Sequence, residues 1–107
     1  MIDIVFLEKD GRLCGYEISG HSTVDPDDDD GRLICSAVSS SAIMAANTVT
    51  EIIGDNAFVR CDDGFLKLIC EDTGRCKDIL LGLRLHLSAL AAEYPDRIKT
   101  AQRENKE

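Results

Sequence analysis

The residues of this 107-residue chain that could perform chemistry are a glycine–histidine pair and a cysteine at a predicted helix start. Gly20 and His21 precede an acidic loop, and Cys35 follows that loop within the segment 34–40. The N–H groups and dipole at a helix N-terminus favour the thiolate form of a cysteine. A nearby histidine could take the thiol proton or form a thiolate–imidazolium pair. We therefore expect Cys35 and His21 to form a Cys/His pair.

Each of these residues also has a purely structural interpretation. Most free cysteines are buried and act as small hydrophobic residues, and Cys35 could be one of them. An exposed loop histidine without a role is the commoner case when His21 is considered alone. Ser39 lies one helical turn after Cys35, so its hydroxyl can share the same helix face.

The remaining four cysteines are interpreted as packing residues, and the second histidine as a residue at the edge of the core. Cys14, Cys61 and Cys70 fall in predicted strands, Cys76 begins the second predicted helix, and His86 lies within that helix. The total of five cysteines is odd, and no CxxC pair is present. These features favour free thiols over disulfides or a zinc motif. We expect no metal site and no cofactor.

The formal net charge of −8 disfavours nucleic acid as a partner, because nucleic-acid binding needs a basic face. An acidic surface attracts basic peptides, although it also serves simply to keep a protein soluble. The first residues show no charged leader and no cleavage site, and no apolar run is long enough for a bilayer. We expect a cytoplasmic protein that does not bind a membrane.

Hydrophobic periodicity predicts a single domain of two β-hairpins, each followed by a helix. Asp-Gly turns at 10–11 and 63–64 connect the strands of the two hairpins. The helices are predicted from about Ile34 to Gly54 and from Arg75 to Glu93, and residues 97–100 could form a short edge strand. The order ββα-ββα(β) predicts an α+β fold: a mixed, mainly antiparallel sheet with two helices packed on one face.

The segment 21–33 is predicted to be a mobile, acidic active-site loop. Its four consecutive aspartates, Asp27 to Asp30, repel one another and resist regular structure. They lack the alternating ligands and terminal glutamate of an EF-hand. Gly31 and Arg32 would connect the loop to the helix, so that the loop could close over a substrate. Residues 101–107 are predicted to be a frayed tail.

Nearly the whole chain resembles the ribosomal-processing cysteine protease family (Prp, also called YsxB-like). The resemblance rests on Gly20-His21, on the loop with Gly31, on the segment 34–39, and on Asn47 in the same helix. It implies an endopeptidase that removes a short N-terminal extension from a large-subunit ribosomal protein. His21 would be the base, Cys35 the nucleophile, and Ser39 a residue near the active site. The family also implies a homodimer.

The chain departs from the family at the position three residues before the cysteine, where members usually carry aspartate and this chain has Arg32. Arg32 could stabilise a thiolate. The amides at the helix start are expected to stabilise the oxyanion, and a peptide is expected to bind along an exposed strand edge. The residues expected to support the site are Gly20, Gly31, Arg32, Ser36 and Ser39.

Two other classes of protein remain open from the residues. In the first, the chain is a non-catalytic module that binds a peptide or ribosomal protein, and Cys35 only packs. In the second, the chain is a thiol redox sensor, which needs a resolving cysteine close to Cys35. Cys14 is the nearest cysteine in sequence. Rapid reaction of Cys35 with iodoacetamide at neutral pH would favour the enzyme.

Overall fold

The computed structural model describes residues 1–23 and 25–106. The strands are β1 (Ile2–Lys9), β2 (Arg12–Gly20), β3 (Phe58–Asp62), β4 (Phe65–Ile69) and β5 (Ile98–Glu104). The helices are α1 (Asp29–Asn47), which continues as a π-helical segment over Thr48–Ile53, and α2 (Lys77–Glu93). The observed order therefore confirms the predicted ββα-ββα(β) arrangement.

The five strands form one sheet in the order β3-β4-β2-β1-β5. Three neighbouring pairs are antiparallel, and the fourth pair, β1 with β5, is parallel. The predicted mixed, mainly antiparallel α+β sheet is thus confirmed. Both β3 and β5 are edge strands, so each leaves one row of backbone groups unpaired within the sheet.

One face of the sheet carries the core, and both helices pack against it. Ile4 opposes Ile18 and Phe6 opposes Tyr16 across the β1–β2 pair, and all four side chains are buried. The Tyr16 hydroxyl donates a 2.7 Å hydrogen bond to the carbonyl of Ala42 in α1. Burial raises the pKa of Tyr16 well above its ordinary value. This bond links β2 directly to the backbone of α1.

Helix α1 begins at Asp29, and not near Ile34 as the sequence predicted. Asp28 is the N-cap residue, and its side chain accepts a hydrogen bond from the backbone N–H of Gly31. Asp29 and Asp30 occupy the first turn, where the helix dipole favours negative charge. The aspartate run therefore starts the helix, and the irregular segment after β2 ends at residue 28.

Strand β5 is longer than predicted and includes most of the predicted frayed tail. It pairs with β1 from Ile98 opposite Ile2 to Glu104 opposite Glu8, and Asn105 N donates to Glu8 O at 2.7 Å. Its residues after Ile98 are exposed, so the strand lacks the apolar alternation by which strands are recognised. Backbone pairing with β1 orders it instead.

The continuous helical segment Asp29–Ile53 is long and apolar enough to cross a membrane by length and composition, although the sequence analysis expected no such segment. Its buried residues include Ile34, Val38 and Val49, which belong to the core. A helix that packs one face on a sheet has this composition without contacting lipid.

Candidate active site

A cavity of about 270 Å³ opens between α1 and the ends of β2, β3 and β4. Cys35 and Ser39 line it from α1, and His21 lines it from the end of β2. Asp63 and Gly64, in the turn of the second hairpin, close the opposite wall. The structure therefore brings the predicted thiol and imidazole, fourteen positions apart in the sequence, to one cavity.

Gly20 determines where the chain leaves the sheet toward this cavity. Its φ of +89° is strained for any residue with a side chain, and a Cβ there would lie 2.3 Å from the carbonyl oxygen of Met1. Its N–H donates a 2.9 Å hydrogen bond to the carbonyl of Gly64. The chain is thereby fixed to both hairpins immediately before His21, and Gly20 itself lines the cavity.

His21 is exposed, and its imidazole lies against the backbone of Gly64. A Cβ on Gly64 would lie 2.7 Å from His21 Nε2. Two separate reasons therefore favour glycine at position 64: the contact with the imidazole, and a φ of +68°, which disfavours any side chain. The Asp-Gly turn that the sequence identified as a hairpin signal therefore also makes room for the imidazole.

Cys35 is half-buried in the second turn of α1, and its sulfur is held by Ser22. The Ser22 N–H lies 3.2 Å from Cys35 Sγ, and the Ser22 hydroxyl oxygen lies 3.3 Å from the same atom. The hydroxyl also donates to the carbonyl of Gly31. Among the described residues, no hydrogen bond joins Cys35 to His21. Catalytic hydrogen bonds are often long or poorly aligned without substrate and tighten in the complex.

The predicted oxyanion site at the helix start is wrong, because Cys35 lies in the interior of α1. Two N–H groups of the first turn also have partners: Gly31 N donates to Asp28 Oδ1 at 3.0 Å, and Arg32 N donates to Asp28 O at 3.1 Å. The carboxylate of Asp28 would repel a second anion at that position.

Asp28 and Arg97 form an ion pair that the sequence analysis missed. Arg97 Nη1 lies 2.7 Å from Asp28 Oδ2, and both side chains are half-buried. The hydrogen bond from Arg97, with that from the Gly31 N–H, lowers the pKa of Asp28 to about 2. The pair packs over Gly31, where a Cβ would lie 2.6 Å from Asp28 Oδ2 and 2.7 Å from Arg97 Nη1. Gly31 therefore lies against this ion pair and outside the cavity lining.

Two more predicted support residues, besides Gly31, lie outside the cavity lining. Arg32 is exposed and pairs with Asp29 on the outer side of the first turn of α1. Ser36 is exposed and does not belong to the cavity lining. The structure thus does not bring Arg32 to the Cys35 sulfur, where the sequence analysis expected it to stabilise a thiolate.

The other cysteines divide into two kinds. Cys14, Cys70 and Cys76 are buried, as predicted, and burial raises the pKa of each, that of Cys70 to about 12. Cys61 is exposed and lines the same cavity as Cys35, so its interpretation as a packing residue is wrong. Cys61 lies opposite Leu66 of β4 and therefore on the same side of the sheet as the core. The edge position of β3 leaves that side open to solvent.

Across residues 1–23 and 25–106, no cluster of His, Cys, Asp or Glu could hold a metal ion.

A thiol and an imidazole on the wall of one open cavity, in an α+β domain, are the features of a thiol-dependent hydrolase. Comparison with known families gives the particular class. The chain belongs to the cysteine protease Prp family, whose model matches residues 1–99. The predicted family and the predicted enzyme class, a cysteine endopeptidase, are both supported by this match.

Solved structures with the same fold include the ribosomal processing protease Prp from S. aureus with a covalently linked product peptide. It is 19% identical, the match covers 96% of this chain and 100% of that one, and the TM-score is 0.84. SMU.848 from Streptococcus mutans is 19% identical over 98% of this chain and 96% of its own, with a TM-score of 0.79. At such identities the likeness establishes the fold. No curated protein sequence matches this chain.

Proposed function

We propose that this protein is an endopeptidase that removes a short N-terminal extension from a large-subunit ribosomal protein, with Cys35 as nucleophile and His21 as base. The observation that carries the proposal is the shared cavity, which exposes one thiol of α1 and one imidazole to the same space. The family match supports peptide-bond cleavage. The S. aureus relative, described as a ribosomal processing protease and solved with a substrate peptide, supports the substrate class.

The proposed reaction uses the two groups in turn. His21 takes the Cys35 proton, and the thiolate attacks the peptide carbonyl carbon to form a tetrahedral intermediate. The intermediate expels the amine, which takes the proton from His21, and leaves a thioester on Cys35. His21 then removes a proton from water, the hydroxide attacks the thioester, and Cys35 is released as the thiol.

The free edge of β3 is the surface that we assign to the peptide. Cys61 and Asp62 of this strand line the cavity, and every residue of β3 is exposed. An extended peptide can pair with such an edge by β-augmentation, which delivers its scissile bond to Cys35. Asp62 is paired with Arg60 at 2.8 Å, whereas Asp63 forms no ion pair among the described residues. Asp63 and the net charge of −8 favour basic residues near the cut.

The proposal includes a cytoplasmic homodimer that binds neither nucleic acid nor membrane. Support for the dimer comes from the outward side of the segment Asp29–Ile53, where apolar side chains are exposed. Leu33 is 68% exposed, Met44 54% and Ile52 79%. A second copy of the chain would cover this face. Sedimentation equilibrium tests the dimer independently of catalysis.

The decisive experiment incubates the protein with the same organism's large-subunit protein carrying its N-terminal extension, and reads the products by intact mass. One cut is expected. Cys35→Ala and His21→Ala should abolish it. Ser36→Ala is the matched control, because Ser36 adjoins Cys35 but lies exposed outside the cavity, and it should retain the cut.

Absence of any cut, with tight binding of the same substrate, would replace the endopeptidase with a binding module. A cut that survives Cys35→Ala would remove Cys35 from the mechanism. Cleavage of a different peptide would keep the enzyme class and overturn the ribosomal substrate.

A further inference from the structure

Ser22 contacts the reactive sulfur with both its backbone N–H and its hydroxyl, at 3.2 Å and 3.3 Å. No motif drew attention to it, because serine after histidine in a loop carries no signal of its own. It is half-buried between the start of the loop and α1. These two contacts give Ser22 direct access to the atom proposed to react.

The hydroxyl has one proton and two neighbours that can accept it. Its proton is donated to the carbonyl of Gly31. In this arrangement the hydroxyl oxygen is therefore the acceptor of a hydrogen bond from the Cys35 thiol, and not a donor to it. The Gly31 carbonyl lies in α1, where the Cys35 N–H is its helical partner in the i→i−4 pattern. The hydroxyl can therefore turn away from Gly31 without leaving that carbonyl unpaired.

We propose that Ser22 is a further catalytic residue, which stabilises the Cys35 thiolate by turning its hydroxyl from the Gly31 carbonyl to the sulfur. When the thiol loses its proton to the base, Sγ becomes a pure acceptor. The Ser22 hydroxyl then joins the Ser22 N–H as a second donor to the anion. Hydrogen bonds to an ion are stronger than those between neutral groups. No atom other than the thiol proton is transferred.

This inference rests on the proposed role of Cys35, but its test needs no peptide substrate. The test measures alkylation of Cys35 by iodoacetamide from pH 6 to pH 10, with each cysteine-bearing peptide quantified separately by mass spectrometry. Cys61, exposed in the same cavity, is the internal reference thiol. Labelling of buried Cys14 would report any loss of the fold.

Ser22→Ala keeps the backbone N–H and removes the hydroxyl. At pH 6–7 we expect it to lower the rate of Cys35 alkylation about tenfold, as for loss of one hydrogen bond to a charged group. The deficit should disappear toward pH 10, where free thiols are ionised without help. Ser22→Thr, which restores a hydroxyl, should recover most of the rate at neutral pH. Cys61 should react at the same rate in all three proteins.

A rate for Ser22→Ala equal to that of the unmodified protein at every pH overturns the proposal. An equal deficit at pH 6 and pH 10 also overturns it, because a displaced sulfur would react slowly whatever its ionisation. If Ser22→Ala shows the expected deficit at neutral pH but the protein cleaves no peptide, Ser22 keeps its proposed role toward the thiolate and the result counts against the endopeptidase. The two proposals can therefore fail separately.

Discussion

The His21 imidazole rests on Gly64, in the turn between β3 and β4. A Cβ at Gly64 would lie 2.7 Å from His21 Nε2 and 3.3 Å from Cε1. The second hairpin therefore holds the proposed base against the cavity. The same hairpin supplies Cys61 and Asp62 to the cavity wall, so its position affects both the base and the peptide site.

Gly64→Ala should displace the imidazole and lower kcat/KM about tenfold or more, because a misplaced base loses its alignment with the thiol. Gly11→Ala is the matched control: Gly11 also follows an aspartate in a hairpin turn, with φ +75°, but no atom lies within 4 Å of its Cβ position. Both variants should lose about 1–2 kcal/mol of unfolding free energy from the strained φ. Equal activity in the two variants would show that the contact with His21 has no consequence.

The five thiols should divide by burial when the native protein is treated with iodoacetamide. Cys35 and Cys61 should be labelled, whereas Cys14, Cys70 and Cys76 should be labelled only after unfolding in urea. Burial both blocks access and raises the pKa of the three protected thiols, so that they remain protonated. Peptide mapping by mass spectrometry measures all five in one sample. Rapid native labelling of Cys14 would contradict the packing of β2.

Arg32→Ala should leave the alkylation rate of Cys35 within about twofold of the original, since an exposed ion pair has little effect beyond its own partners. Arg32 pairs with Asp29 and lies outside the cavity lining. The sequence, by contrast, predicted that this arginine stabilises a thiolate. A clear fall in the alkylation rate at neutral pH would restore that expectation and contradict the position of the side chain.

The Asp28–Arg97 ion pair should make stability depend on acid pH. The folded pKa of Asp28, about 2, lies below its ordinary value of 3.8, so the pair stabilises the fold above about pH 4 and loses this contribution as pH falls toward 2. Asp28→Asn keeps a good helix cap but removes the charge. Urea unfolding should show the original protein as the more stable at pH 6, with the difference fading by pH 2. If the difference in stability does not change with pH, the substitution acts through helix capping alone and not through the ion pair.

Tyr16→Phe should lower the unfolding free energy by about 1 kcal/mol through loss of the hydrogen bond to Ala42 O. Tyr94→Phe, at an exposed tyrosine after α2, is the control and should change it by less than about 0.5 kcal/mol. Urea denaturation measures both. Tyr16 links β2 to α1. A fall in activity of Tyr16→Phe under conditions where the variant is still fully folded would therefore show that the placement of α1 matters for the site.

Hydrophobic periodicity was sufficient to predict the strands and helices that bury one face. The two Asp-Gly hairpins and α2 follow the predictions closely, since apolar alternation and turn residues are local signals. The start of α1 and the end of β5 did not follow. Asp29 and Asp30 lie in the first turn of α1, where the helix dipole favours their negative charge in spite of their mutual repulsion. Strand β5 is ordered by backbone pairing with a strand some 96 residues earlier in the chain, Ile98 opposite Ile2.

The sequence by itself determined the α+β class, the protease family and the candidates Cys35 and His21, because local patterning and a family motif are written in neighbouring residues. Only the tertiary structure decided the surroundings of the sulfur. It placed Ser22 on Cys35, Gly64 beneath His21 and Cys61 on the same cavity wall. It also joined Asp28 to Arg97 across 69 positions. Such contacts depend on how distant strands and loops meet, and no local spacing encodes them.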